Sequence, residues 1–464
     1  MLKKINFLKS FLIMWIAFTL GAVHLLNVSG VFVLSTPDIR IFHLMLMLSI
    51  LFLSKPTFSK LENNVLDNLF TFLIVLTCFL SGFHMIFSWE EIAMSGGDTT
   101  SLDIFAGVVI LFLILEATRR GIGLLLSIIC LIFFTYPFYS QFLGDVFYSK
   151  GYSLERMAEF LTTTSQGVYG IPLGVSASYI ILFSIYGSFL SQFGAGDFFF
   201  KFAMRITKNM HAASAKTAVI FSTLLGMISG SAAGNVAVTG TLTIPMMKKE
   251  GYQNHQAGAI EAVVSTGGQI MPPVMGAAAF IMAEIIGKPY TEVMKAGLIP
   301  ALLFFASTFF VVHFQAKKNR LKTKKYKDDG ESMIIVLLNG LQFIIPFFSL
   351  IGMMLYGYSP FKASFFSIII LLVLNILWNK KISFDFLINC QKAIIEGTKN
   401  VVPIAVACAA AGIIAGTLGI TGLGSKISGL ILTWSLGIPF LALFMTMIVA
   451  IILGMGLPTT AAYL

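Results

Sequence analysis

The chain has 464 residues, 57% of them hydrophobic and 11% charged, with a mean hydropathy of +0.89 and a formal charge of +10. Water-soluble domains carry about a quarter charged residues, so composition excludes a soluble enzyme or binding domain and makes the bilayer the solvent. The basic excess lies in short loops between apolar runs, which is a topology signal and not a nucleic-acid surface.

Apolar windows predict an all-α polytopic membrane protein. Spans are expected near 10–27, 39–54, 66–88, 102–118, 121–143, 170–193, 256–285, 294–314, 333–357, 363–379 and 400–421. Lys3-Lys4 followed by an apolar run could open a secretory signal, but no small-x-small cleavage site follows, so an uncleaved first span is expected. The stretches 154–165 ("LERMAEFLTTTS") and 383–397 ("SFDFLINCQKAIIEG") read as amphipathic helices at the interface, each ahead of a proline-containing span. Cys78, Cys130, Cys390 and Cys408 are scattered without a CxxC, which supports neither a disulfide frame nor a metal site.

Loop charges set the orientation. Lys3, Lys4 and Lys9 place the N-terminus in the cytoplasm, and the loop 89–101, with Glu90, Glu91 and Asp98 and no basic residue, is expected outside. Arg119-Arg120, Lys201, Arg205, Lys208, Lys216, Lys248-Lys249, the run "KKNRLKTKKYK" at 317–327 and Lys380-Lys381 are expected inside. One alternating path satisfies them all if 217–247 enters and leaves on the cytoplasmic side, as a re-entrant hairpin with its tip at "SGSAAGN", Ser229–Asn235.

The chain also repeats itself. "GMISGSAAG" from Gly226 aligns with "GMGLPTTAA" from Gly454, and the same offset of 228 residues sets Gly194-Ala195-Gly196 on Gly422-Leu423-Gly424. Five spans separate the starts of the two copies. Five is odd, so the second copy is inverted, the arrangement of many secondary transporters that hold substrate and ions at broken helices near the midplane. The first copy covers about 170–314 and the second about 400–464. The counterpart of Pro272 would fall past residue 464, so the second copy is expected to lack its returning arm and the chain to be incomplete.

Broken backbone within a membrane is tolerated where it lines a polar cavity or holds an ion. Neutral oxygen donors at such breaks suit Na⁺, and half-helix N-termini suit a carboxylate. The Na⁺ candidates are Ser229, Gly230, Ser231, Asn235, Thr266, Gly267, Gly419, Gly454 and Thr459. The substrate candidates are Ser231, Asn235, Thr239, Gln269, Pro272, Thr459 and Thr460. The competing explanation is that small and hydroxyl residues only let helices pack closely. Glu116 reads as a helix-end partner of Arg119 and Arg120. Glu261 and Glu284 are placed near the ends of their span, as candidate proton or substrate groups. His24, His43 and His84 read as isolated structural residues. No HExxH, Walker loop, paired-carboxylate site or GxSxG occurs, so no enzyme is expected, no cofactor is called for, and an ion gradient is the expected energy source.

At "GMISGSAAGNVAVTGTLTIPMM" (226–247), "STGGQIMPPVMGAAAFIMAE" (265–284) and "GMGLPTTAAYL" (454–464) the sequence resembles the membrane component of tripartite ATP-independent periplasmic (TRAP) transporters. The resemblance implies an elevator-type permease in a bacterial inner membrane, two hairpins that carry Na⁺ and an organic anion, and a periplasmic solute-binding protein that delivers the solute. It further implies a fused arrangement, with 1–120 as a small-subunit-like four-helix region and 121–464 as the large-subunit-like transport region, and a partner of the TAXI class. Other readings are a channel, an integral-membrane enzyme, and a sodium/dicarboxylate symporter of another elevator family that works without a binding protein. Dicarboxylates, glutamate-like acids and other organic acids all remain open as substrates.

Overall fold

The structure is a computed structural model that describes residues 2–57, 65–321, 332–379, 383–454 and 459–463. All regular elements among them are helical, and ten helices are long and apolar enough to cross a membrane. The chain is an all-α polytopic membrane protein. Contacts divide it into two compact units, Met1–Ile180 with Thr398–Leu464, and Ile181–Gly397.

The first unit opens with α1 (Leu2–Ser29), α2 (Thr36–Ser54), α3 (Val65–Met94) and α4 (Ser101–Gly121). Their starts are set locally. Ser35 caps α2 by accepting from the Asp38 N–H, and Thr100 with Asp103 forms a reciprocal capping box at α4. Helix α2 is the most enclosed of the four and packs on α1, α3 and α4. The histidines read as isolated are not. His43 Nδ1 lies 3.0 Å from His24 Nε2, its Nε2 lies 3.0 Å from Ser176 Oγ, and His84 Nε2 lies 2.7 Å from Asp103 Oδ1. Sequence could not join them because each pair sits on separate helices. Glu116 pairs with Arg119 and Arg120 at 2.7 and 2.6 Å, as expected.

Helix α5 (Leu124–Tyr139) follows, then the short amphipathic α6 (Leu154–Thr163), which buries Met157, Ala158, Leu161 and Thr162. Next, α7 (Ile171–Val175) runs through a π-helical turn at Ser176–Ile180.

The second unit continues that span as α8 (Ile181–Gln192), then α9 (Ala195–Thr207), α10 (Ala213–Ser229) and α11 (Ala232–Glu250). The expected span 256–285 is broken, as its "GGQIMPP" stretch suggests. Helix α12 (Asn254–Gly267) stops at a 3-10 turn, Gly268–Ile270, and the chain restarts as α13 (Ala277–Ile285). Helices α14 (Tyr290–Lys318), α15 (Met333–Leu355) and α16 (Pro360–Asn379) complete the unit up to the start of α17 (Phe384–Thr421). Most of the run 317–327 and Lys380-Lys381 lie outside the described residues.

Helix α17 corrects the reading of 383–397 as a separate interfacial helix. It is one helix of 38 residues with Pro403 inside it, about 57 Å long at 1.5 Å per residue. No chain-breaking pair separates 397 from 400. At Gly397 the helix is held by packing: a side chain there would come within 2.6 Å of Ile185 Cα, and Ser184 Oγ donates to the Gly397 carbonyl at 2.7 Å.

Back in the first unit, α18 (Leu423–Trp434), α19 (Pro439–Gly454) and α20 (Thr459–Tyr463) end the described chain. The 228-residue register has a local counterpart here. Gly194 and Gly422 both hold the left-handed conformation (φ 99°, ψ 15° and φ 66°, ψ 12°), and each immediately precedes a helix, α9 and α18. Only glycine enters that region without steric cost, which accounts for glycine at both positions.

Candidate functional site

Helices α10 and α11 form a tight hairpin. At its tip Gly230 is left-handed (φ 59°) and its N–H closes on the Gly226 carbonyl at 3.2 Å. Ser231 follows as the N-cap of α11, its hydroxyl accepting from the Gly234 N–H at 3.2 Å. The two caps, back to back, force the chain to reverse in two residues. At the base, Glu250 accepts from the backbone N–H of Ser214 at 2.9 Å and from its hydroxyl.

The tip rests on the break between α12 and α13. The Val274 N–H donates to the Met227 carbonyl at 3.3 Å, and the Gly276 N–H to the Gln269 carbonyl at 2.7 Å. The buried Tyr290 hydroxyl lies 2.7 Å from the carbonyls of both Pro273 and Val274. Glycine makes this contact close: a Cβ on Gly226 would stand 2.4 Å from Gly268 Cα, and one on Gly230 would stand 2.1 Å from the Met275 carbonyl oxygen. Asn235 is fully buried and donates from Nδ2 to the carbonyls of Ser222, at 3.0 Å, and Ser265, at 3.5 Å.

The structure therefore brings Ser229, Gly230, Ser231, Asn235, Thr239, Gly267, Gln269 and Pro272 to one hairpin and the broken helix under it. Two of these side chains carry a buried oxygen with no partner, Ser229 Oγ and Asn235 Oδ1. Gly267 lies against α14, where a Cβ would strike the Phe304 ring at 2.1 Å. Thr266 is exposed and donates to the Ala262 carbonyl at 2.7 Å. In the other unit, Gly419 accepts from the Gly422 N–H at 3.3 Å and Gly454 ends α19. Thr459 is exposed and Thr460 buried at the start of α20. The residues between them, 455–458 with Pro458, lie outside the described residues.

The residue that sequence misplaced is Glu261. It is not at the end of a span but in the middle of α12, with no exposed surface. Thr239 and Thr243 on α11 hydrogen-bond its carboxyl group. Ser265, one turn on, bonds it at 2.8 Å, and Ser222 on α10 lies at 3.4 Å. The spacing of these residues (239 and 243, 261 and 265) was a legible signal of two facing helical stripes. Glu284, by contrast, is exposed at the end of α13.

Apolar spans with a closely packed polar hairpin and a broken helix among them define a polytopic membrane protein with irregular, polar backbone inside its helical region. Residues 109–464 match the family described as tripartite ATP-independent periplasmic transporter, DctM component, and the chain belongs to that family. It is similar to the protein y4mL of Sinorhizobium fredii, 23% identical over 36% of this chain and 40% of the relative. A protein of Haemophilus influenzae named for a TRAP transporter large permease is 23% identical over 31% of this chain and 33% of its own length. The C4-dicarboxylate TRAP transporter large permease protein DctM of Vibrio cholerae is 22% identical over 41% of this chain and 43% of its own length. The chain thus spans less than half the length of these relatives.

Proposed function

We propose that this chain is the permease of a binding-protein-dependent secondary transporter, coupling Na⁺ entry to uptake of an organic anion across a bacterial inner membrane. The observation that carries the reading is the tip of the α10–α11 hairpin, where Ser229 Oγ and Asn235 Oδ1 are buried without partners beside a broken helix. Buried polar atoms in native proteins are almost always satisfied. Neutral oxygens at unwound helix ends are what a coupling Na⁺ needs, and the N-terminus of α11 offers N–H groups to a carboxylate. Gly454, Thr459 and Thr460 supply the equivalent groups in the second copy.

In this reading α10–α11 is re-entrant from the cytoplasm and moves with its ion and solute as an elevator. The region 1–120 is a fused small-subunit-like scaffold, and a periplasmic solute-binding protein of TAXI type delivers the anion. The name of the Vibrio relative, with its C4-dicarboxylates, supports a carboxylate cargo. Family membership supports transport over catalysis.

In proteoliposomes with the binding protein, Asn235→Ala is expected to raise the Na⁺ concentration for half-maximal uptake about tenfold, the equivalent of 1.4 kcal/mol of lost ion binding. An unchanged Na⁺ dependence removes the tip from the ion site. With the native cysteines replaced, Ser95→Cys is expected to label from the periplasm and Lys325→Cys from the cytoplasm. The reverse pattern overturns the orientation and the inversion of the repeats.

A further inference from the structure

Between the arms of the hairpin lies a carboxyl group that the Na⁺ reading leaves unused. Glu261 is wholly buried and meets hydroxyls only: Thr239 and Thr243 of α11, Ser265 of its own helix and Ser222 of α10. The helices packed around it carry few titratable groups. They are Lys216 on α10, Lys248, Lys249 and Glu250 on α11, and His255 on α12. On α14 they are Tyr290, Glu292, Lys295, His313, Lys317 and Lys318. None of these hydrogen-bonds or ion-pairs with Glu261 among the described residues; Lys216 lies over the Phe309 ring, 4.6 Å from its centre.

Burial and the count of hydrogens together point to what fills this cluster. Thr239 and Thr243 each also reach the carbonyl four residues back, Asn235 O at 2.8 Å and Thr239 O at 2.9 Å. A hydroxyl has one hydrogen, so each threonine serves either its own helix or the carboxyl group. With Glu261 ionised, both threonines turn to it, the two carbonyls lose their extra bonds, and a full charge stays buried with no cation beside it. With a proton on Oε2 the ring closes. Oε2–H donates to Thr243 Oγ1, Thr243 donates to the Thr239 carbonyl, and Thr239 and Ser265 donate to Oε1, so each of these contacts holds one hydrogen and only the Asn235 carbonyl loses its extra bond. No charge remains. A sodium ion is the poorer occupant, because the hydroxyls already lie in direct hydrogen-bond contact with the carboxyl oxygens and leave no gap for it.

We infer that Glu261 is a proton-binding site inside the hairpin, loaded while the arms are closed on α12. The consequence for coupling rests on the transport reading. A hairpin that parts from α12 during the cycle opens Glu261 to water, and the carboxyl then dissociates to carboxylate and H⁺. The proton joins Na⁺ as a second ion in the cycle.

Infrared difference spectra of the purified full chain in liposomes test this, recorded as pH is raised. The native protein is expected to show the carbonyl stretch of a protonated carboxyl that disappears with base. Glu261→Gln should lack that band, and Thr243→Val should shift it by removing the acceptor of the proton. No titrating band in the native protein, or a band unchanged in Glu261→Gln, overturns the inference. Na⁺-driven uptake is measured in parallel. A native protein with Na⁺-driven uptake but no titrating band sinks this inference alone, whereas a titrating Glu261 in a protein without Na⁺-driven uptake sinks the transport reading and leaves the proton site standing.

Discussion

Two glutamates in apolar helices, Glu116 and Glu261, solve the same problem in opposite ways. Glu116 lies at the end of α4 between two arginines, Arg119 at 2.7 Å and Arg120 at 2.6 Å, and its side chain keeps about a third of its surface exposed. Glu261 lies in mid-helix, fully buried, with hydroxyls and no cation. A carboxylate with fixed counter-charges is a structural clasp: its charge is balanced in every state. A carboxyl group that only hydroxyls surround has no fixed counter-charge, which is what the proposed proton site exploits. The two regions teach that the partners of a membrane carboxylate say more about its role than its depth.

The comparison can be broken most severely at the glycine contact between α10 and the break after α12. Gly226→Val places a branched side chain where even a Cβ lies 2.4 Å from Gly268 Cα, and backbone cannot yield as a side chain does. Overpacking of this kind costs about 1–3 kcal/mol. Uptake is expected to fall to about a tenth or less, because the hairpin no longer seats on the break. Full activity of this variant means that the tip works without the contact. A smaller effect is expected at the clasp. Glu116→Ala leaves Arg120, only 2% exposed, without its carboxylate, at a cost of about 1–3 kcal/mol in thermal or denaturant unfolding. The more exposed Arg119 adds little to this. The smallest stability change is expected for Glu261→Gln. An amide of the same shape keeps partners among the hydroxyls and changes stability by less than about 1 kcal/mol. A loss as large as that of Glu116→Ala contradicts the distinction, since it makes the charge of Glu261 a fixed part of the fold.

Much of this arrangement was legible in the chain. The hairpin was expected over 217–247 and its helices run from 213 to 250, because the glycine and serine at its tip are also the caps that end one helix and start the next. Gly194 and Gly422, which the 228-residue register sets together, both take a left-handed conformation ahead of a helix. Glu261 was misread for a definable reason. A hydropathy window treats 256–285 as one span and so sets residue 261 near its end. The break at Gly268 shortens the helix to Asn254–Gly267, which puts the same residue in the middle. The histidine pairs and the unbroken α17 were hidden for a related reason: each depends on what a neighbouring helix presents.

The sequence by itself determined that this chain lives in a membrane, that it carries a polar hairpin with glycine and serine caps at its tip, and which family motifs that hairpin bears. Those properties follow from apolar content, capping residues and glycine, and they act over a few neighbouring positions. Only the tertiary structure decided which polar groups end up unpartnered and which hydroxyls surround the buried carboxyl group. Burial and hydrogen-bond satisfaction depend on residues 13 to 39 positions apart, Ser222 with Asn235 and Ser222 with Glu261, meeting across three packed helices.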